Sequence, residues 1–146
     1  MRNKTARTKY LKDYFQAHKE ENKKRLRKKA RSVSGRYRSA KASAASRKFT
    51  FDLTLEEYAQ IIQENVCFYC LGPLNETGSG LDRKDNEPFY SKENCVPCCW
   101  PCNITFNSIY TFGEKLMLAK TIREIYSLRK QRKLDSHTTV ELPLLN

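Results

Sequence analysis

The sequence predicts an α+β fold: a small core stapled by clustered cysteines, flanked by helices and preceded by a basic helical extension. Three observations lead there. Two Cys-x-x-Cys units, Cys67-Phe-Tyr-Cys70 and Cys99-Trp-Pro-Cys102, lie 28 residues apart in a stretch rich in Gly and Pro. Amphipathic patterns with capping signals stand on both sides of that stretch. The excess of positive charge lies wholly in the first third: residues 1–48 hold 18 Lys and Arg against 3 Asp and Glu, a net +15, whereas the whole 146-residue chain carries +12.

From the N-terminus, residues 5–30 read as one basic helix with Tyr10, Leu11, Tyr14 and Phe15 on a small aromatic face. SVSGRYRS, residues 32–39, contains Gly35 and reads as a break, after which AKASAASRK resumes as a short Ala-rich helix. A boundary is expected near Lys48. FTFDL then alternates like a short strand, and Thr54 and Glu57 stand in capping-box register for a helix over 55–65. Its expected buried stripe is Leu55, Tyr58, Ile61 and Ile62. Between Val66 and Asn103 the glycines and prolines allow only short strands and turns, a core too small to hold without a staple. Thr111 and Glu114 open a second capping box, with Phe112, Leu116, Ala119, Ile122, Ile125 and Tyr126 as the expected inner face of a long helix. The expected divisions are thus a basic arm over 1–48, a stapled domain over 49–134 and a surface tail over 135–146.

A run as basic as the arm seeks polyanions, and nucleic acid is the commonest one. Lys23, Lys24, Arg25, Arg27, Lys28, Lys29, Arg31, Arg36 and Arg38 are the expected contacts. The arm lacks the broad Leu/Phe/Trp face of a membrane-surface helix, so no membrane partner is expected. No apolar run approaches the about 20 residues of a span, and MRNKTARTKY lacks the apolar centre of a secretory signal. An intracellular, reducing compartment is the expectation, with a phage, bacterial or organellar source all compatible. There, cysteines at short spacing read as metal ligands rather than disulfides. Two Cys-x-x-Cys turns complete a tetrahedral four-sulfur shell, which is the shell of a structural Zn2+. Cys98 is the alternative to Cys99 as a ligand, but Cys99 gives the Cys-x-x-Cys spacing, so Cys95 and Cys98 read as small buried thiols.

GLDRKDNEPFYSKENCVP lies between the knuckles. The sequence of Cys-x-x-Cys, an Asp-containing turn, Tyr90-x-x-x-Asn94 and Pro97-Cys-Cys-x-x-Cys-Asn103 resembles the zinc-stapled HNH nucleases, most closely their phage-type and endonuclease VII-like members, over roughly residues 47–125. The resemblance implies a ββα-metal core in which Cys67, Cys70, Cys99 and Cys102 hold zinc. Asp82 and Asn103 would ligate a catalytic Mg2+ or Mn2+, and Asn94 would tie the hairpin loop. It also implies a homodimer, as endonuclease VII-like relatives are dimers. One position departs from the pattern: where active members carry the general-base His, this chain has Arg83, and arginine cannot act as a base at neutral pH. His18 and His137 lie outside the motif and read as surface residues. Water activation would fall to the metal, Asp85, Tyr90 or a substrate oxygen, with Arg83 clamping the scissile phosphate. Two functions are therefore expected: a metal-dependent endonuclease on DNA, with DNA ahead of RNA as target, or a catalytically impaired HNH-derived domain that binds nucleic acid as a ribonucleoprotein component.

Overall fold

The computed structural model describes residues 4–138, with side chains from residue 7 to residue 133. It is a mixed helical protein with two very small sheets. Helices α1 (Lys4–Ala17), α2 (Lys19–Arg31) and α3 (Val33–Ser46) precede strand β1 (Thr50–Phe51) and helix α4 (Leu55–Ile62). Strands β2 (Leu81–Arg83), β3 (Phe89–Tyr90) and β4 (Cys95–Pro97) follow, then helices α5 (Trp100–Phe106) and α6 (Phe112–Thr138).

The single helix expected over 5–30 is two, broken at His18, whose ring stacks on Tyr14 at 4.1 Å and whose Nδ1 lies 2.8 Å from the Tyr14 carbonyl. The break expected over 32–39 shrinks to one residue. Ser32, extended at φ −64°, ψ 152°, caps α3 by accepting from Gly35 N, and the helix runs straight through the predicted break. Gly35 serves contact rather than interruption: a Cβ there would sit 2.0 Å from the Lys29 carbonyl oxygen, so only glycine lets α3 press against the end of α2. Gly35→Ala would stabilise an isolated helix by about 1 kcal/mol. Here we expect the opposite sign, a loss of about 1–3 kcal/mol from overpacking. A urea titration of the variant checks it, and a raised midpoint would contradict the contact.

Helix α3 belongs to the packed unit, so that unit begins before the expected boundary at Lys48. Ala40 and Ala44 are in the core, and the Tyr37 hydroxyl donates to the Leu53 carbonyl at 2.8 Å. The helix ends in a Schellman-type turn: Phe49 N donates to Ala44 O and Lys48 N to Ala45 O, with Lys48 in the left-handed region at φ 60°. That turn launches β1, which pairs in parallel with β3 (Thr50 opposite Phe89, Phe51 opposite Tyr90). The strand is shorter than FTFDL suggested.

Thr54 and Glu57 form both halves of the expected capping box. Tyr58 and Ile62 are buried and Ile61 is packed against the core, but Leu55 is exposed because it lies in the first turn, ahead of the packed face. Strands β2 and β4 form an antiparallel ribbon, with Leu81 opposite Pro97, Asp82 opposite Val96 and Arg83 opposite Cys95. Helix α5 follows β4 after two residues. In α6, Thr111 N and Oγ1 both donate to Glu114 Oε2 at 2.8 Å, closing the second cap. The inner face of α6 differs from expectation. It is Phe112, Lys115, Leu118, Ala119 and Ile122, while Leu116, Ile125 and Tyr126 are exposed. The helix continues to Thr138, past the expected start of the tail, and residues 139–146 lie outside the described residues, as does the side chain of His137.

Candidate metal centre and cleft

The two knuckles meet. The ligand atoms of Cys67, Cys70, Cys99 and Cys102 lie within 4.8 Å of one another, all four residues are buried, and Cys70 Sγ is 3.6 Å from Cys99 Sγ. A tetrahedral shell with Zn–S bonds of 2.3 Å has S···S edges of about 3.8 Å, so this donor set fits a structural metal ion such as zinc. The first knuckle is a closed turn: Leu71 N donates to Cys67 O, Cys67 N to Gly72 O, and Gly72 N to Cys70 Sγ. The second is the start of α5, where Cys99 is the N-cap and Asn75 Oδ1 accepts from Trp100 N at 2.6 Å.

The electrostatics of the bare cluster show why it would take a cation. Thiols of Cys102 and Cys98 hydrogen-bond to Cys67, which lowers the Cys67 pKa and raises theirs, with burial raising them further. Burial also pushes the Cys99 thiol up to about 11. Hydrogen bonding to Cys67 and burial thus both disfavour the charged form of Cys102, whereas a divalent ion would favour the charged form of all four ligands. Cys98 is buried and donates to the Cys99 carbonyl at 3.3 Å, and Cys95 is buried with its pKa pushed up to about 12 by desolvation. Neither joins the four-sulfur set.

The cluster reaches the neighbouring cleft through its own loops. Tyr69, between the two cysteines of the first knuckle, is fully buried, and its hydroxyl donates to Asp82 Oδ2 at 2.8 Å. Burial, with the Asp82 charge behind it, raises the Tyr69 pKa, which keeps the phenol a donor. Asn103 directly follows Cys102 on α5. Asp82 and Asn103 thus come to line one cleft of about 710 Å³, together with Arg83, Arg47, Phe49 and Tyr90. The Asn103 side chain has no hydrogen-bond partner among the described residues. Asn94 is buried and ties the loop between β2 and β4, accepting from Asp85 N at 3.1 Å and donating to the Phe89 carbonyl at 3.1 Å. Asp85 accepts from Glu87 N and so caps that turn.

Lys115 is a residue that sequence reasoning missed at this site. It is fully buried, and its Nζ donates to Asp82 Oδ2 at 3.0 Å and to the Arg83 carbonyl at 2.7 Å. A signal did exist: Phe112, Lys115, Ala119 and Ile122 follow 3-4-3 helical spacing, as regular as the 4-3-3 spacing of the set containing Leu116. An apolar-only reading passes over the lysine. Arg123 was missed too; from α6 it donates to the carbonyls of Tyr69 (2.5 Å) and Phe68 (2.8 Å), bracing the first knuckle.

Arg83 donates through Nη1 to the carbonyls of Asn86 and Glu87, and its guanidinium lies 4.7 Å from the Phe49 ring centre. Tyr90 is also engaged, its hydroxyl accepting from Arg47 Nη2 at 2.7 Å. Of the expected arm contacts, Lys23, Lys24, Arg25, Arg27, Lys28, Lys29 and Arg38 are exposed, and Arg31 is exposed but paired with Glu76 at 3.0 Å. Arg36 is a correction. It is 6% exposed, its Nε donates to the Gly78 carbonyl at 3.2 Å, and its Nη2 is buried without a partner. A Cβ at Gly80, which sits at φ 65°, would come within 2.2 Å of that Nη2. Arg36 therefore docks α3 onto the loop before β2, because the turn of helix that carries it faces the core rather than solvent.

Fold and site together define a small α+β protein whose four buried cysteines are positioned to hold a metal ion beside a polar, arginine-lined cleft. Among the described residues no helix is long and apolar enough to cross a membrane. No family model matches the chain, and no solved structure matches it. It is similar to an uncharacterized protein of Acanthamoeba polyphaga mimivirus, with 33% identity over 76 residues. That match covers 52% of this chain and 14% of the viral protein, so the chain spans only a small part of the relative's length.

Proposed function

We propose that the chain is a zinc-stapled endonuclease domain of the HNH kind, hydrolysing phosphodiester bonds in DNA with a divalent metal ion, and that the exposed lysines and arginines of α2 hold the nucleic acid. The observation that carries this reading is the convergence of Asp82, from β2, and Asn103, from α5, on one arginine-lined cleft. Both hydrogen bonds to Asp82 fall on Oδ2, which leaves Oδ1 for a ligand. One carboxylate oxygen and one amide oxygen, with water, suit Mg2+ or Mn2+, hard ions that keep much of their hydration. Such an ion would polarise the scissile phosphate and stabilise the leaving oxygen.

In this scheme Asn94 holds the loop in register and Arg83 binds a phosphate oxygen. Tyr69 and Lys115 fix the orientation of Asp82. Among the described residues no histidine lines the cleft. Absence of a positioned base costs on the order of 10²- to 10⁴-fold, so slow turnover is part of the proposal. A second reading is favoured by two observations: Lys115 neutralises Asp82 within the protein, and Arg83 stands where a base would be. Those two features suit a domain that binds nucleic acid without cutting it.

Supercoiled plasmid separates the two. The expected result is slow nicking that requires added Mg2+ or Mn2+ and falls at least about 100-fold in Asp82→Ala. No nicking by the parent protein would leave the binding reading, and equal nicking by parent and variant would sink the assignment of Asp82.

A further inference from the structure

The cleft holds two arginines and no uncompensated acid, an imbalance that endonuclease chemistry with one phosphate-binding arginine does not require. Asp82 is matched by Lys115, while Arg47 and Arg83 form no ion pair among the described residues. Both guanidiniums lie against the same two rings. Arg47 is 4.8 Å from the centre of Phe49 and 5.9 Å from that of Tyr90; Arg83 is 4.7 and 5.6 Å from them. Like charges gathered this way repel unless an anion joins them, and the aromatic faces hold them in place meanwhile.

Their remaining donors are specific. On Arg47, Nε donates to the Ser43 carbonyl and Nη2 to the Tyr90 hydroxyl, so Nη1 is the donor with no partner among the described residues. On Arg83 both bonds use Nη1, which leaves Nε and Nη2, the edge that grips two oxygens of one phosphate. Arg47 is the C-cap of α3 and is fixed by the Schellman-type turn there, so its position is built into the backbone.

We propose that Arg47 and Arg83 form a two-armed clamp on one phosphodiester group of a nucleic-acid strand lying in the cleft. The proposal deepens the nuclease reading by adding Arg47, and it rests on that reading only for the identity of the bond to be cut. A strand, rather than a small anion, is favoured by the far end of α3. There the exposed basic run of α2 ends, separated from Arg47 by a 14-residue helix of about 21 Å, a span of roughly six base steps. Arm and clamp would then hold one polyanion at two points.

The test measures binding of a short fluorescein-labelled DNA duplex by the zinc-loaded full chain across a salt series, without chelator and without added Mg2+ or Mn2+. Arg47→Gln and Arg83→Gln are each expected to lower the slope of log affinity against log salt by about 0.9, and the double variant by about 1.8. Arg47→Lys should keep the slope but weaken binding several-fold at fixed salt, since lysine is a point charge without the planar fork. Glutamine variants with normal zinc content and unchanged slopes would overturn the clamp. In the parent chain, the Nε–H NMR resonances of both arginines should shift with duplex; a response to inorganic phosphate alone, with none to duplex, would also overturn it. Reduced slopes alongside a plasmid that stays supercoiled keep the clamp and remove the nuclease, and nicking with unchanged slopes does the reverse.

Discussion

Chelating the metal from the cysteine cluster is expected to abolish the cooperative thermal transition of residues 66–106, together with nucleic-acid binding in the cleft. The free energy of a structural Zn2+ on four thiolates is about 10–16 kcal/mol at neutral pH, as large as the whole stability of an ordinary domain. The strands that it joins are two and three residues long and could not persist unaided. Cys99→Ser should behave as the chelated protein does, with zinc content falling well below one per chain. Cys95→Ala, a buried thiol outside the set, should cost only about 1 kcal/mol and keep the metal. A melting temperature that chelation leaves unchanged would show that the four cysteines are merely packed together.

The second large effect belongs to Lys115. Lys115→Met should destabilise the zinc-loaded protein by about 3–5 kcal/mol, because it leaves the Asp82 carboxylate buried with only a phenol for company. Removing both charges together should recover most of that loss. In Asp82→Asn/Lys115→Met the Tyr69 hydroxyl can still donate to an amide oxygen, and a buried ion pair is often no more stable than a neutral replacement. Urea titrations of the single and double variants make the comparison. If Lys115→Met lay within about 1 kcal/mol of the parent, the pair would be solvated enough to contribute little, as exposed pairs do.

A stability role for this pair carries a functional consequence. The same lysine that holds Asp82 in place also cancels its charge, and its bond to the Arg83 carbonyl fixes the backbone of the neighbouring residue. Asp82 and Arg83 are therefore set by α6, through a lysine 33 and 32 residues further along the chain. Tyr69 adds the connection to the cluster, so loss of metal should disturb both the carboxylate and, through Cys102, the amide beside it.

Local chemistry was readable from the chain directly. Both capping boxes, the presence of helices α4 and α6 and the two knuckles follow from residues three or four apart, where covalent geometry leaves few alternatives, and the four-sulfur set follows from the repetition of the Cys-x-x-Cys spacing. The +15 excess in the first 48 residues likewise needs no structure to be seen. What distance along the chain conceals was decided only by packing. Glycine at 35 looked like a breaker because its propensity is local, yet its neighbour is a carbonyl on another helix. Arg36 looked like an arm cation and is a docking residue, since burial depends on which turn of α3 meets the core. Lys115 lies 33 residues from Asp82 and Arg47 lies 43 residues from Tyr90, and no short-range pattern names either partner. Their partners, Asp82 and Tyr90, become neighbours only when the cluster closes and the helices pack around it, because side-chain pairing across such separations is a property of the assembled core and not of any short segment.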